Sequence, residues 1–220
     1  MASSWSKVRV AELRSQRWGI LGGIFDPIHN GHLAIAEQTA DELALAGVLF
    51  IPAGQPVHRD PPLASAADRL TMVQLATADN ARFLVSSMEI EADRPSYSVE
   101  TMEDLHAEHP EDEFVLIMSA ESAVALPSWR DPMRLIELAE IAIVPRLGFD
   151  EISRDWINDV FPGRQDRFHL LETSHLGNSA TDVRERVGEG KSIRYLVPAV
   201  VEAYINAHNL YSTQGEDSDS

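Results

Sequence analysis

The chain carries, after a short apolar run, the stretch Gly22-Gly23-Ile24-Phe25-Asp26-Pro27-Ile28-His29-Asn30-Gly31-His32-Leu33. The apolar run before it, 18–21, is typical of a buried strand, and the segment after it, 33–45, has helical periodicity. The order is therefore strand, glycine turn, two histidines and helix. This order is typical of the first crossover of an α/β protein, where a ligand lies at the carboxyl end of the strand.

The glycines and histidines of this stretch predict a phosphate site. Gly22 and Gly23 let the backbone approach a ligand closely, and the following helix directs unpaired N–H groups and its positive dipole end to the same place. His29 and His32 are three residues apart, so both imidazoles can face one phosphate. Two alternatives to a phosphate site exist. Paired glycines after a strand are common in α/β proteins, and a His-x-x-His pair can be half of a metal site. The chain offers no cysteine and no further histidine at ligand spacing, so the complete block favours phosphate.

The composition is that of a globular protein with one sizeable domain. The chain has 220 residues, of which 44% are hydrophobic and 24% charged. Its apolar runs are far shorter than the roughly 18 residues that span a bilayer, and the N-terminus lacks the apolar core of a secretory signal. With no cysteine, a disulfide framework and a thiol nucleophile are excluded. A cytoplasmic location without a membrane partner is the default expectation.

The charge balance restricts the partners. A formal net charge of −17 argues against nucleic acid as a partner, because binding its backbone needs a basic surface. A phosphate ligand must then be held by local donors, since salt screens more distant charges beyond about 8–10 Å. Sixteen of the 18 basic residues are arginine, which suits bidentate phosphate contacts, although most of these arginines are expected on the surface.

The rest of the chain alternates strand and helix patterns. This alternation predicts an α/β fold with a Rossmann-like, doubly wound, mostly parallel sheet and helices on both faces. The predicted strands are 17–24, 47–52, 82–87, 113–118, 141–145 and 168–172. The predicted helices are 31–45, 66–78, 97–108, 131–139, 180–188 and 198–208. Ser65 is the expected N-cap of the second, and Leu70, Val73 and Thr77 lie on one stripe of it.

The expected domain is residues 17–211. Residues 1–16 are predicted to be a poorly ordered lead-in or a short extra helix, and the polar, acidic segment 212–220 a disordered tail.

The block His29-Asn30-Gly31-His32 resembles the His-x-Gly-His signature of the nucleotidyltransferase superfamily. Further motifs resemble bacterial nicotinate-mononucleotide adenylyltransferases, and the resemblance covers about residues 17–211. One is the loop after the second predicted strand, Pro52-Ala53-Gly54-Gln55-Pro56-Val57-His58-Arg59. On physics alone, this loop is simply a Pro/Gly-rich turn.

The family resemblance assigns three positions to the binding of the pyridine nucleotide. Ser98 can simply cap a helix starting near residue 99, but in the family a hydroxyl residue here lies where backbone N–H groups hold the pyridine carboxylate. Trp129 is a tryptophan in a Pro-flanked loop, which is more often packing, but in the family it stacks on the pyridine ring. Arg146, in Val144-Pro145-Arg146-Leu147-Gly148, is assigned to substrate contact.

A second phosphate clamp is expected near the C-terminus. Ser179 or Thr181 can cap the predicted helix, and these two hydroxyls with Arg184 and the helix N-terminus can hold phosphates. The segment resembles the family's Ser-Ser-Thr-x-x-Arg motif.

Three positions depart from the family pattern. Ile24 replaces a Thr or Ser after the glycines, Ala180 replaces the middle serine of the clamp, and Ser119-Ala120-Glu121 stands where Gly-x-Asp is usual. A hydrogen bond to a charged group contributes roughly 1.5–3 kcal/mol, so each change bears on affinity or substrate preference.

The resemblance implies adenylyl transfer from ATP to nicotinate mononucleotide, giving nicotinate adenine dinucleotide and pyrophosphate in NAD biosynthesis. It implies His29 and His32 as catalytic residues, and Gly22, Gly23, Ile24, Phe25, Ser179, Thr181 and Arg184 as the ATP and phosphate contacts. Mg²⁺ would be bound through the ATP phosphates, with no protein ligand. Two alternatives remain: another acceptor, nicotinamide mononucleotide or pantetheine phosphate, or a nucleotide-binding protein with little turnover. A homo-oligomer is also left open.

Overall fold

One parallel sheet forms the centre of the protein. The computed structural model describes residues 16–57, 61–145, 152–172 and 179–212. In these ranges the sheet has six strands in the order β3-β2-β1-β4-β5-β6, and every neighbouring pair is parallel. The strands are β1 Arg17–Gly23, β2 Gly47–Pro52, β3 Phe83–Val85, β4 Glu113–Ser119, β5 Glu140–Val144 and β6 Phe168–Leu170.

Helices connect and cover the strands. They are α1 Asn30–Glu42, α2 Ala66–Thr77, α3 Met88–Glu91, α4 Ser98–Glu108, α5 Ala120–Ala125, α6 Pro132–Leu138, α7 Arg154–Val160, α8 Ala180–Gly188 and α9 Ala199–Ala207, with short 3₁₀ turns at Leu126–Ser128 and Gln165–Arg167. The predicted strands and helices are confirmed, with ends that differ by a few residues. The short helices α3, α5 and α7 were not predicted.

The two faces of the sheet build two hydrophobic clusters, because neighbouring strand residues point in opposite directions. On β2, Val48 and Phe50 pack into one cluster, whereas Leu49 and Ile51 pack into the other. α1, α2 and α9 contribute to the first cluster, and α4, α5 and α6 to the second. The predicted α/β class with helices on both faces is therefore confirmed.

The strand order reverses at β1. From β1 the chain moves through β2 to β3 on one side, and it then returns to β4 on the other side and continues to β6. In parallel sheets a crevice for ligands opens outside the carboxyl ends of the strands at such a reversal. β1 ends at Gly23, directly before the two histidines.

The predicted lead-in and tail fall almost entirely on residues 1–15 and 213–220, which lie outside the described residues. Among the described helices, all are too short or too polar to cross a bilayer.

Candidate active site

The two histidines lie together at the N-terminus of α1. His29 is the N-cap residue and is buried, and its backbone N–H donates to Nδ1 of His32 at 3.3 Å. The imidazoles are stacked, with ring centroids 3.7 Å apart and an interplanar angle of 18°. A neutral imidazole that accepts at Nδ1 carries its hydrogen on Nε2, so His32 can donate to an anion from that nitrogen. The two rings can thus face one ligand, as their spacing predicts.

The backbone of the loop 22–29, here called the glycine-histidine loop, turns at Phe25 rather than at a glycine. Phe25 has φ of 52°, in the left-handed region, while its ring packs edge-on against His32 with centroids 5.0 Å apart. A Cβ at Gly23 would meet the Phe25 ring at 3.2 Å, whereas a Cβ at Gly22 would project into open space. Gly23 therefore makes room for Phe25, and Gly22 leaves the outer side of the loop accessible.

One residue of the predicted second phosphate clamp, Arg184, is hydrogen-bonded to the same loop. Ser179 is the N-cap of α8, and its hydroxyl accepts from the backbone N–H of Asp182 at 3.0 Å. Arg184 donates from Nη1 to the backbone carbonyl of Asp26 at 2.7 Å and from Nη2 to the Thr181 hydroxyl at 3.3 Å. Arg184, one turn into α8, therefore ties that helix to the loop from which α1 begins.

Ser98 and Trp129 are brought together by the fold. They share an open cleft of about 340 Å³, here called the Trp129 cleft, whose lining residues are Val57, Ser96, Tyr97, Ser98, Val99, Trp129 and Arg130. The Arg130 guanidinium lies over the Tyr97 ring, 4.6 Å from its centroid, and pairs with Glu100 at 2.7 Å. The cleft thus combines a helix N-terminus, a flat aromatic side chain and a cation.

The ordinary alternative for Ser98, that it caps α4, does not agree with the structure. The helix begins at Ser98, and its N-cap is Tyr97, whose side chain makes no capping hydrogen bond. Tyr97 has extended backbone angles, φ −110° and ψ 124°, so the helical conformation starts immediately after it. Ser98 therefore presents its hydroxyl and N–H from the first helical turn.

A hydrogen-bonded group of side chains connects the Trp129 cleft to the loop after β2. The Ser96 hydroxyl accepts from the N–H groups of Gly54 at 3.1 Å and Gln55 at 3.3 Å. Glu89 accepts from the Thr101 hydroxyl of α4 at 2.7 Å. Burial raises the pKa of the Glu89 carboxyl, although the hydrogen bond from Thr101 opposes the rise. Gly54 fits here because a Cβ would lie 2.0 Å from the Glu89 carbonyl oxygen.

Asp26 and Arg69, which the sequence analysis did not assign, hold the glycine-histidine loop from behind. Asp26 is 5% exposed, and its carboxylate accepts from the N–H groups of Leu63 at 2.8 Å and Ala64 at 3.1 Å. Arg69 is 1% exposed and donates to the carbonyl of Ile24 at 2.6 Å. Burial lowers the pKa of the Arg69 guanidinium, and the negative charge of Asp26 opposes this shift.

One signal for Arg69 was present in the sequence. The buried face of α2 contains Arg69, Met72, Val73, Ala76 and Thr77, whereas the predicted stripe residue Leu70 is only partly buried. An arginine in register with apolar residues on a helix is a candidate for a buried charge.

The remaining positions singled out in the sequence either lie outside the described residues or have a local structural role. Arg146 and the His58-Arg59 pair lie outside the described residues. Ile24 contributes its carbonyl to Arg69, Ala180 is the first residue of α8, and Ser119 caps α5 by accepting from the N–H of Ser122 at 3.3 Å.

Comparison with protein-family models matches residues 20–186 to the cytidylyltransferase-like family. A probable nicotinate-nucleotide adenylyltransferase of Thermomicrobium roseum is 42% identical over 198 residues, covering 90% of this chain and 92% of the relative. A protein with the same description from a Roseiflexus species is 46% identical over 194 residues, covering 88% of this chain and 96% of the relative.

The fold is shared with solved structures. Plasmodium falciparum nicotinic acid mononucleotide adenylyltransferase complexed with NaAD has a TM-score of 0.74 at 17% identity, over 89% of this chain and 97% of that chain. The same enzyme complexed with APC has a TM-score of 0.73 at 16% identity and the same coverage.

Proposed function

We propose that this chain transfers the adenylyl group of ATP to nicotinate mononucleotide. It belongs to the nicotinate-nucleotide adenylyltransferases within the cytidylyltransferase-like family. The products would be nicotinate adenine dinucleotide and pyrophosphate. The observation that carries this proposal is the stacked pair His29 and His32 at the N-terminus of α1, with Arg184 of α8 bonded to the same loop. This arrangement gathers phosphate donors at the reversal point of the sheet.

The reaction needs no covalent enzyme intermediate. An oxygen of the acceptor's 5′-phosphate attacks the α-phosphorus of ATP, and the bond to the bridging oxygen breaks, so that its electron pair leaves with pyrophosphate. His29 and His32 would hydrogen-bond the α-phosphate oxygens as negative charge grows on them. The amides of Gly22, Gly23, Ile24 and Phe25 would support the same charge. Catalysis then depends on positioning and preorganised donors.

The leaving pyrophosphate would lie against α8. Ser179 and Thr181 would offer hydroxyls and N–H groups from the first turn of that helix, and Arg184 would add charge-assisted hydrogen bonds. The guanidinium has five N–H donors, so its contacts with Asp26 and Thr181 leave others for phosphate oxygens.

The pyridine ring of the acceptor would occupy the Trp129 cleft. Stacking on an aromatic side chain typically contributes about 0.5–1.5 kcal/mol beyond area burial, which helps to orient a flat ring. The ring carboxylate would be received by the N-terminal amides and Ser98 of α4, which favour an anion over a neutral amide. Arg146 is proposed as a further substrate contact.

Magnesium would bind through the ATP phosphates and supply charge neutralisation there. The described residues contain no group of three or more His, Asp or Glu side chains arranged around a metal position. Asp26, the acidic residue within the glycine-histidine loop, already has its carboxylate oxygens bonded by protein N–H and O–H groups. A mainly phosphate- and water-bound Mg²⁺ suits this ion's octahedral preference.

The test is pyrophosphate release by the full chain with ATP and Mg²⁺ and one acceptor at a time. We expect release with nicotinate mononucleotide and much slower release with nicotinamide mononucleotide or pantetheine phosphate. Fast release with one of the other acceptors would replace the assigned substrate. ATP binding without release in any mixture would contradict an enzymatic function.

A further inference from the structure

The segment after α9 returns to the centre of the proposed active site. Tyr211 has φ of 63°, in the left-handed region, and its hydroxyl donates to Oδ1 of Asp26 at 2.7 Å. Burial and the hydrogen bond to Asp26 raise the pKa of the Tyr211 phenol, so that it stays protonated as a donor. The contact joins residues 185 positions apart in the chain.

Asp26 is where several parts of the fold meet. Its carboxylate is held by the backbone of Leu63 and Ala64 as well as by Tyr211, and its carbonyl accepts from Arg184. The loop before α2, the helix α8 and the chain after α9 therefore converge on one residue of the glycine-histidine loop. A carboxylate at 5% exposure needs such donors, because an unpaired buried charge is strongly unfavourable.

These contacts control where the loop's amides point. In a planar trans peptide the C=O and the following N–H face opposite directions. The bond from Arg69 to the Ile24 carbonyl therefore directs the N–H of Phe25 away from Arg69. Asp26 immediately follows Phe25 and lies three residues before His29, so a shift of Asp26 would displace the loop on which both the Phe25 amide and His29 depend.

We propose that Tyr211 is a positioning residue for ATP, which acts through Asp26 to keep the glycine-histidine loop in its phosphate-binding shape. The proposal rests on the proposed function for the identity of the nucleotide. The chain after α9 then contributes to nucleotide binding and not only to the stability of the fold.

The chain offers a closely matched control. Tyr204 of α9 donates from its hydroxyl to Oδ1 of Asp68 at 2.9 Å, so both tyrosines bond an aspartate, but Asp68 lies in the first turn of α2 rather than in the loop. Tyr211→Phe and Tyr204→Phe each remove a single oxygen atom. The measurements are KM for ATP, KM for nicotinate mononucleotide, kcat, Tm, and the Kd of Mg-ATP by calorimetry without acceptor.

We expect Tyr211→Phe to raise KM and Kd for ATP about tenfold, which corresponds to the loss of one hydrogen bond to a charged group. KM for nicotinate mononucleotide should change less than twofold, and Tyr204→Phe should leave both KM values unchanged. The proposal is overturned if both variants lower Tm alike without a change in ATP affinity. It is also overturned if Tyr211→Phe weakens both substrates equally.

The calorimetric Kd separates this proposal from the proposed function. If the wild-type chain binds ATP but transfers nothing, the proposed function fails, and a tenfold weaker Kd of Tyr211→Phe would still support the positioning role. If the wild-type chain binds no ATP, both proposals fail together.

Discussion

The charged groups that hold the glycine-histidine loop are buried, whereas the cation at the Trp129 cleft is exposed. Asp26 and Arg69 are almost inaccessible to solvent, while the Arg130 side chain at the cleft is 56% exposed and belongs to a surface ion-pair network with Glu100, Arg94 and Asp104. Surface pairs of this kind stabilise little. Under the proposed function, this difference corresponds to a preorganised phosphate side and a looser acceptor side.

This difference suits the chemistry of the proposed reaction. Charge develops on the α-phosphate, and donors stabilise it best when they are fixed before the reaction and need no reorganisation. The acceptor ring undergoes no bond change, so its cleft needs to orient the ring rather than to stabilise a transition state. Substitutions at the loop should therefore lower kcat, and substitutions at the cleft should raise the acceptor's KM.

The largest effect is expected at His32. His32→Ala should lower kcat at least about a hundredfold, because a preorganised donor to the transition state is lost. The measurement is steady-state pyrophosphate release at saturating ATP and nicotinate mononucleotide. His208→Ala is the matched control, since His208 is exposed and stacks on Tyr204 at the end of α9. Near-normal turnover of His32→Ala would contradict the role of His32 as a donor to the transition state. It would also contradict the expected contrast between kcat effects at the loop and KM effects at the cleft.

A smaller effect is expected at Trp129. Trp129→Ala should raise KM for nicotinate mononucleotide up to about tenfold, as the loss of aromatic stacking predicts, with little change in kcat or in KM for ATP. Trp156→Ala serves as the control, because Trp156 packs against Phe161 outside the cleft-lining residues. An unchanged acceptor KM would mean that Trp129 only packs against the core.

Most of the framework that supports these sites was predictable from the sequence. The strands have dense apolar runs because both faces of the sheet are covered, and the long helices have clear periodicity and caps, such as Ser65, whose hydroxyl accepts from the N–H of Asp68. The helices α3, α5 and α7 have only four to seven residues, too few to establish a periodic pattern. The equally short α6 was predicted, and it begins with an Asp131 N-cap followed by a proline, which is a typical helix start.

The contacts of Arg69, Asp26 and Tyr211 that hold the glycine-histidine loop were not predictable, for a reason other than segment length. Arg69, Asp26 and Tyr211 are far apart in sequence, and each by itself has an ordinary alternative as a surface charge, a turn residue or an apolar helix end. Only the folded chain pairs Arg69 with the Ile24 carbonyl and Tyr211 with Asp26. The motif around His29 thus indicated the candidate site in the sequence. The donors that hold the glycine-histidine loop, Arg69 and Tyr211, could be identified only from tertiary contacts.

The smallest effect tests whether the exposed cleft has any internal support of its own. Thr101 and Thr77 are both buried helical threonines whose hydroxyls reach a carbonyl four residues earlier, at 3.3 and 2.9 Å, but only Thr101 also bonds Glu89. Thr101→Val should raise KM for nicotinate mononucleotide about threefold, in line with one modest hydrogen bond, while Thr77→Val should lower Tm without changing that KM. Thr101→Ser retains the hydroxyl and should restore the wild-type value. If Thr101→Val and Thr77→Val behave alike, the Glu89 contact does not position α4, and the acceptor side is as loosely held as its surface ion pairs indicate.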